Sequence, residues 1–150
     1  EESAAPQPLN ACDLVTTADV EAILGGTVDE PRQTSRDDEE RQFWMSQCDY
    51  YAAQQERGAG VMIQSSANPD PIKALEAHVA SLKNSLGDAY EAQTVDGVGG
   101  AAVWDGSVKQ LTVFDGAHML IVTVTGAGQE EGIALETAKA LAEKALAKLP

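Results

Sequence analysis

Apolar residues recur at helical spacing in three segments of the chain, the first of which covers residues 17–24. Thr16 precedes this segment as a natural N-cap, and Asp19 stands three residues later, which completes a variant of the capping box. Gly25-Gly26 follows and supplies the left-handed conformation at which helices often stop. The pattern predicts a short helix over residues 17–24.

The second and third helical segments are longer and amphipathic. Asp70 can cap the second segment, Pro71 takes its first helical position, and Gly87 ends it. Its apolar residues lie at helical spacing, and they are Ile72, Leu75, Val79, Leu82 and Leu86. The third segment covers about residues 129–149, and its apolar face consists mostly of small residues, which allows close packing on a sheet.

Between the helices, the pattern changes to that of β-strands. The candidate strands cover residues 27–32, 42–52 and 60–66, with a weaker one at 90–95. A meander follows, in which Val103-Trp104-Asp105-Gly106 recurs ten residues later as Val113-Phe114-Asp115-Gly116, and Asp-Gly is a strong hairpin signal. Residues 119–124 are apolar on both faces, which favours a central strand that is covered on both sides.

The order of these elements predicts one α+β domain. A helix, three strands, a helix, about four strands and a last helix indicate a single twisted, mainly antiparallel sheet of six to seven strands with three helices packed on it. The order is compatible with a degenerate duplication of a helix–three-strand unit. The polar segment SRDDEE at residues 35–40 is expected to form a solvated loop. Residues 11–150 are assigned to this domain, and residues 1–10 to a flexible acidic, Pro-rich tail.

The two cysteines, Cys12 and Cys48, are separated by 35 residues. A disulfide between them would close a long loop and stabilise the fold by roughly 3–4 kcal/mol. Disulfides persist in oxidising compartments, so this interpretation implies export to the periplasm, the cell surface or the medium. The polar stretch that begins at Glu1 is also expected behind a removed signal peptide. The alternative is a pair of buried free thiols in a cytosolic protein.

Four short motifs resemble those of a known group of proteins. They are ACDLVT at residues 11–16, DVEAILG at 19–25, QCDY at 47–50 and VDGVGGAAVW at 95–104. The pattern resembles a broad group of small exported bacterial proteins of unknown function, many of them lipoproteins, over roughly residues 11–125. In that group a cysteine opens a C-x-L-[LV]-[ST] helix, a second cysteine lies in a following strand, and a GxGxxA turn precedes a meander.

The resemblance implies an exported, disulfide-tied α+β domain, and it brings no catalytic residues with it. This chain departs from the group at Gly100, where the turn of the group has an acidic residue. A site in the group that uses this acid would lack it in this chain.

The chain has a formal net charge of −14, which disfavours nucleic acid and anionic membrane surfaces as partners. No apolar run approaches the roughly 18 residues of a membrane-spanning helix. The charge is unevenly spread, because residues 1–71 hold 14 acidic residues and four arginines, whereas residues 72–150 hold 10 acidic residues and six lysines. The excess in the first half favours a cationic partner.

The sequence offers few groups for catalysis or for binding a cofactor. Gly97, Gly99 and Gly100 precede a strand, whereas a phosphate-binding loop precedes a helix. No recognised motif ties His78 or His118 to a serine or cysteine nucleophile. The carboxylates at residues 37–40 lack the twelve-residue pattern of a calcium loop. We therefore expect a protein that is not an enzyme and has neither a cofactor nor a metal site.

Large aromatic side chains are the remaining candidates for a contact surface. Strand alternation places Trp44 and Tyr51 on opposite faces of one strand, and it places Trp104 and Phe114 on the face opposite the valine that precedes each of them. The candidate partner surface therefore comprises Trp44, Tyr51, Trp104 and Phe114. The alternative is that a helix or loop covers these residues and that they belong to the core.

Together these patterns favour an exported, non-catalytic binding or accessory domain of the bacterial cell envelope, which contacts a protein or surface partner. One alternative is a carrier that holds a small apolar ligand or cofactor between sheet and helices. Another is a structural subunit of an extracellular assembly or filament. A closed apolar cavity would favour the carrier, and an exposed apolar face would favour a protein partner.

Overall fold

A computed structural model describes residues 8–40, 43–66, 68–90, 92–126 and 131–149 of the chain. The helices are α1 (Ala11–Leu14), α2 (Thr17–Leu24), α3 (Pro71–Leu86) and α4 (Glu131–Leu146). The strands are β1 (Arg32–Asp38), β2 (Phe43–Ala52), β3 (Arg57–Ser65), β4 (Ala92–Val95), β5 (Ala101–Asp105), β6 (Gln110–Asp115) and β7 (His118–Gly126).

The strands form one seven-stranded sheet in the order β1-β2-β3-β7-β6-β5-β4, and every neighbouring pair is antiparallel. The predicted α+β class and its single antiparallel sheet are therefore confirmed. Hairpins join β2 to β3, β5 to β6 and β6 to β7, and the last of these turns at Gly116 with a φ of +61°. The central pair, β3 and β7, is made of strands distant in sequence.

The predicted caps position α2 and α3. The Thr16 side chain accepts a hydrogen bond from the Asp19 amide at 3.1 Å, and the Asp19 carboxylate accepts one from the Thr16 amide. Asp70 accepts hydrogen bonds from the first amides of α3, which ends at Gly87. These satisfied helix ends explain why both helices begin at the predicted residues.

Helices α1, α2 and α4 cover the central strands on one face of the sheet, and this side forms the main core. Alternate residues of the central strands point into it, among them Cys48 of β2, Val61 of β3 and Val122 of β7, and all three are fully buried. Helix α4 contributes four alanines, Ala134, Ala138, Ala142 and Ala145, and the larger Leu141 to the same core. Small side chains let a helix approach a sheet closely, as the sequence indicates. We call this side the covered face.

The opposite face is covered only in part. Helix α3 packs on β5 and β6, where the ring of His78 lies 5.6 Å from that of Phe114. The residues of β7 that point to this side, such as Ile121 and Thr123, are only partly buried. The prediction that β7 is covered on both sides is therefore wrong, because α3 is displaced toward one end of the sheet. We call the uncovered part, over β2, β3 and β7, the open half.

The first strand also differs from its prediction. Residues 27–31 are irregular, and β1 begins only at Arg32, so it includes four residues of the predicted SRDDEE loop. This polar segment is a strand because its backbone pairs with β2 in a register that matches Asp38 to Phe43. An edge strand bonds to one neighbour, and charged side chains are tolerated there.

Three predictions stay open. The first is the duplication of a helix–three-strand unit. The strand order agrees with it, because β1–β3 and β5–β7 lie on either side of the sheet centre. The helices do not, because α2 and α3 pack on opposite faces of the sheet. The tail assigned to residues 1–10 falls mostly on residues 1–7, which lie outside the described part of the chain. The predicted start of the third helix, at residues 129–130, lies outside it as well.

Candidate functional site

The N-terminal segment is tied covalently to the covered face. A disulfide joins Cys12 of α1 to Cys48 of β2, with a distance of 5.1 Å between their Cα atoms, and it confirms the predicted pairing. Close by, the Ala11 amide donates a hydrogen bond to Oγ of Ser46 at 2.9 Å. Because disulfides persist in oxidising compartments, the bond supports the expected export of the protein.

Three of the four aromatic residues in the predicted contact surface are buried. Trp44 and Trp104 lie in the core of the covered face, and Phe114 lies beneath α3. Only Tyr51 is accessible, with half of its surface exposed. The predicted set must therefore be corrected, because three of its members are buried, and of the four only Tyr51 is accessible, on the open half.

The register explains why Trp104 and Phe114 do not form one surface. Phe114 pairs with Ala101, and Trp104 pairs with Leu111, so the two aromatic side chains point to opposite faces of the sheet. Trp104 is 0% exposed, and its indole N–H has no hydrogen-bond partner among the described residues. It is a core residue.

The open half of the sheet forms a groove of about 620 Å³, which we call the sheet groove. Strands β2, β3 and β7 make its floor, and the segment before β1 makes one wall. The lining side chains include Gln47, Met62, Ile121, Thr123 and Thr125, together with Tyr51. Apolar, amide, hydroxyl and aromatic groups thus share one surface, which is a mixture typical of binding sites.

Two glycines keep the floor of the sheet groove low. A Cβ atom on Gly60 would lie 2.9 Å from Oδ1 of Asp49, and one on Gly58 would lie 2.6 Å from Oγ1 of Thr125. Both positions are in β3, where a side chain would point into the groove. The absence of these side chains gives a ligand access to the sheet.

The sheet groove has an acidic rim. Asp29, Glu30 and Asp49 line it, and Arg32 is the one cationic residue of its lining. The side-chain Nε2 of Gln47 donates a hydrogen bond to Oδ1 of Asp49 at 2.9 Å, which holds that carboxylate in place. The excess of carboxylates gives the groove a negative potential, which attracts cationic groups.

A second hollow, of about 630 Å³, lies at the other end of β1 and is lined by Arg36, Asp37, Asp38, Glu39 and Phe43, with Glu40. This segment is the carboxylate run of the sequence. No group of three or more metal-ligating residues is found in the described part of the chain.

The two histidines are placed for packing. Burial lowers the pKa of His78, which lies against Phe114. Burial also lowers the pKa of His118, and the nearby Asp115 carboxylate partly opposes that shift. His118 stacks edge-on against Trp44, with 5.9 Å between the ring centroids. Both imidazoles thus favour the neutral form.

The glycine turn before β5 also has a structural role. Gly97 and Gly99 have φ angles of +83° and +60°, which favour glycine. A Cβ atom on Gly100 would lie 2.5 Å from Cγ of Pro71, so the turn packs directly against the start of α3. The acidic residue expected here from the resemblance would meet that proline.

Comparisons with known proteins concern the fold. No protein-family model matches this chain, and no curated protein sequence matches it. No helix in the described residues is long and apolar enough to cross a membrane. Among solved structures, the chain is similar to the crystal structure of the extracellular domain of PknH from Mycobacterium tuberculosis. The similarity has a TM-score of 0.52 at 12% identity, and it covers 95% of this chain and 99% of the other. The chain thus shares its fold with an extracellular domain over nearly its whole length.

Proposed function

We propose that this chain is an exported binding domain of the cell envelope, with no catalytic function of its own. The disulfide and the fold it shares with an extracellular domain support the export. The single observation on which the binding function rests is the sheet groove, which stays open while helices cover the central strands on the other face of the sheet. A groove that opens to solvent favours a binding domain over a carrier with an enclosed pocket.

The proposed ligand is a cationic segment of a partner protein. Asp29, Glu30 and Asp49 supply three carboxylates against the single guanidinium of Arg32. The half-exposed ring of Tyr51 adds an aromatic face on which an arginine or lysine side chain can stack. Specific interfaces often combine a buried aromatic anchor with pairs of opposite charges at the rim.

Titration with a tetra-arginine peptide, followed by NMR chemical shifts, tests the proposal. We expect shifts in the groove residues, and we expect the triple variant Asp29→Asn/Glu30→Gln/Asp49→Asn to raise the dissociation constant about tenfold or more. Tyr51→Ala should weaken binding by a smaller factor, since it removes only the ring.

The matched control is the triple variant Asp37→Asn/Glu39→Gln/Glu40→Gln, which removes the same charge at the opposite end of β1. It should leave the dissociation constant nearly unchanged. Equal weakening by both triple variants would show general charge attraction and would overturn the proposal. Absence of any shift in the groove would overturn it as well.

A further inference from the structure

The open half of the sheet contains all three methionines of the chain, Met45, Met62 and Met119. Gln64 of β3 pairs with Met45 of β2 and with Met119 of β7, and Met62 stands two residues before Gln64, so the three side chains share one face. All three are partly buried. The flexible thioether of methionine adapts its shape to apolar partners, and it is frequent in surfaces that bind them.

Met62 is the methionine that lines the sheet groove itself. It pairs directly with Ile121 of β7, which also lines the groove, and the Cβ atoms of such opposite residues lie about 5 Å apart. Nε2 of Gln64 donates a hydrogen bond to Sδ of Met119 at 3.5 Å, which engages that thioether outside the groove. Met62 and Ile121 therefore form an apolar floor at one end of the sheet groove, which we call the apolar end.

The other end of the sheet groove is recessed and acidic. Gly60 follows Met62 at a distance of two residues along β3, and the Asp49 carboxylate lies over the place where its Cβ atom would stand. At Gly58, two residues further along, Cδ1 of Tyr51 lies 3.3 Å from the corresponding place. Among the described residues, no cation lies within ion-pair distance of Asp49, so its carboxylate is available to a ligand. We call this part the acidic end.

The two ends are spaced like alternate residues of an extended peptide. Met62 and Gly60 are two residues apart in one strand, which corresponds to about 7 Å. In an extended ligand, residues two positions apart point to the same side at this spacing, and the residue between them points away. The long side chain of arginine can reach down to the recess at Gly60, whereas a shorter apolar side chain meets the higher surface of Met62.

We propose that the sheet groove binds an extended segment in which an apolar residue and an arginine stand two positions apart. The apolar side chain packs on Met62 and Ile121, and the guanidinium group pairs with Asp49 and stacks on Tyr51. The inference rests on the proposed function and adds to it, because charge attraction alone requires no spacing and no apolar residue.

NMR titration of the full chain with two blocked pentapeptides, Arg-Ser-Leu-Ser-Arg and Ser-Arg-Leu-Arg-Ser, tests the spacing. The peptides have the same composition and charge, but only the first places arginine two positions from leucine, in either chain direction. We expect the first to bind about fivefold more tightly, since only its leucine is buried while an arginine reaches the acidic end. Its binding should shift the methyl signals of Met62 and Ile121.

Two substitutions at one position test the apolar end. Met62→Gln replaces the thioether by a polar group of similar length, and it should reduce the preference between the pentapeptides to less than about twofold. Met62→Leu keeps an apolar side chain and should retain the preference. The matched control is Leu86→Gln on α3, because Leu86 is half exposed and does not line the sheet groove. It should leave the preference unchanged.

Titration with tetra-arginine separates this inference from the proposed function. If tetra-arginine shifts the groove residues but the two pentapeptides bind equally well, the inference is overturned and the proposed function stands. If neither tetra-arginine nor the pentapeptides shift the groove residues, both are overturned. A preference that persists unchanged in Met62→Gln would overturn the assignment of the apolar end.

Discussion

Tyr50 illustrates how single residues of the covered face combine packing with hydrogen bonding. Its hydroxyl group donates a hydrogen bond to the Val15 carbonyl at 2.6 Å, in a buried position between β2 and the segment that joins α1 to α2. Burial, with smaller contributions from Asp13 and Asp19, raises the pKa of Tyr50 to about 12. The hydroxyl therefore stays protonated in the folded protein at a pH at which a free tyrosine ionises.

We expect the stability of the protein to fall between pH 10 and 12 because of Tyr50. An unfolded tyrosine loses its proton near pH 10, and the folded one near pH 12, so the contribution is full below pH 10 and is lost as the pH rises to 12. Tyr50→Phe should lower the free energy of unfolding by about 1 kcal/mol at pH 7, because the Val15 carbonyl loses its donor.

Urea unfolding at pH 7 and at steps from pH 9.5 to 11.5 checks this effect. Tyr50→Phe should show a shallower alkaline decline than wild type. The control is Tyr51→Phe, whose half-exposed ring lies on the open half of the sheet. A decline as steep in Tyr50→Phe as in wild type would contradict the assignment.

At the scale of elements, the sequence predicts those whose ends are fixed by local contacts. The bounds of α2 and α3 follow from Thr16 and Asp70, because each cap bonds amides within three residues of itself. Helix α1 is too short for its apolar residues to show a helical period, so only the resemblance implies a helix at Cys12, and Asn10 caps it. Strand β1 escapes for another reason, because only its pairing with β2 makes the polar segment extended.

The candidate site was harder to predict than the helices. Which face of the sheet each aromatic residue occupies depends on register, and which face is covered depends on where α3 packs. Both are long-range properties. Alternation within one strand places Trp44 and Tyr51 on opposite faces, as observed, because it depends on one strand alone. Alternation cannot relate two different strands, and Trp104 and Phe114 lie on opposite faces although both were assigned to one contact surface. The sheet groove has only one local signal in the sequence, the pair Gly58 and Gly60 within an apolar strand.

The capping of α2 gives a prediction for one element. Thr16→Ala removes the side-chain acceptor for the Asp19 amide and should lower the free energy of unfolding by about 1 kcal/mol. Thr17→Ala is the matched control, because Thr17 is exposed at the first position of α2 and is not the cap. Chemical denaturation of both variants gives the comparison. If Thr17→Ala costs as much stability as Thr16→Ala, the cap does not have the proposed effect.

For the whole molecule, the disulfide is the strongest single constraint on the unfolded chain. Replacing both Cys12 and Cys48 with alanine frees a loop with a sequence separation of 36, and it should lower the free energy of unfolding by about 3–4 kcal/mol. Guanidinium unfolding of the variant and of the oxidised wild type measures the difference. Reduced wild type should unfold at nearly the same denaturant concentration as the variant.

Mass spectrometry of protein purified without reductant supplies an independent check. We expect no free thiol, since both cysteines are in the bond. Two free thiols would contradict the structure.

The same bond also decides how the molecule would bear tension. A pull applied between the residues before Cys12 and the C-terminal end of the chain passes through the sulfur atoms directly into β2, near the middle of the strand. Residues 13–47 then lie outside the covalent path that carries the force. Helix α2 and strand β1 are therefore not stretched. Force applied at the N-terminal side of this domain would therefore not stretch the segment before β1 that forms one wall of the sheet groove.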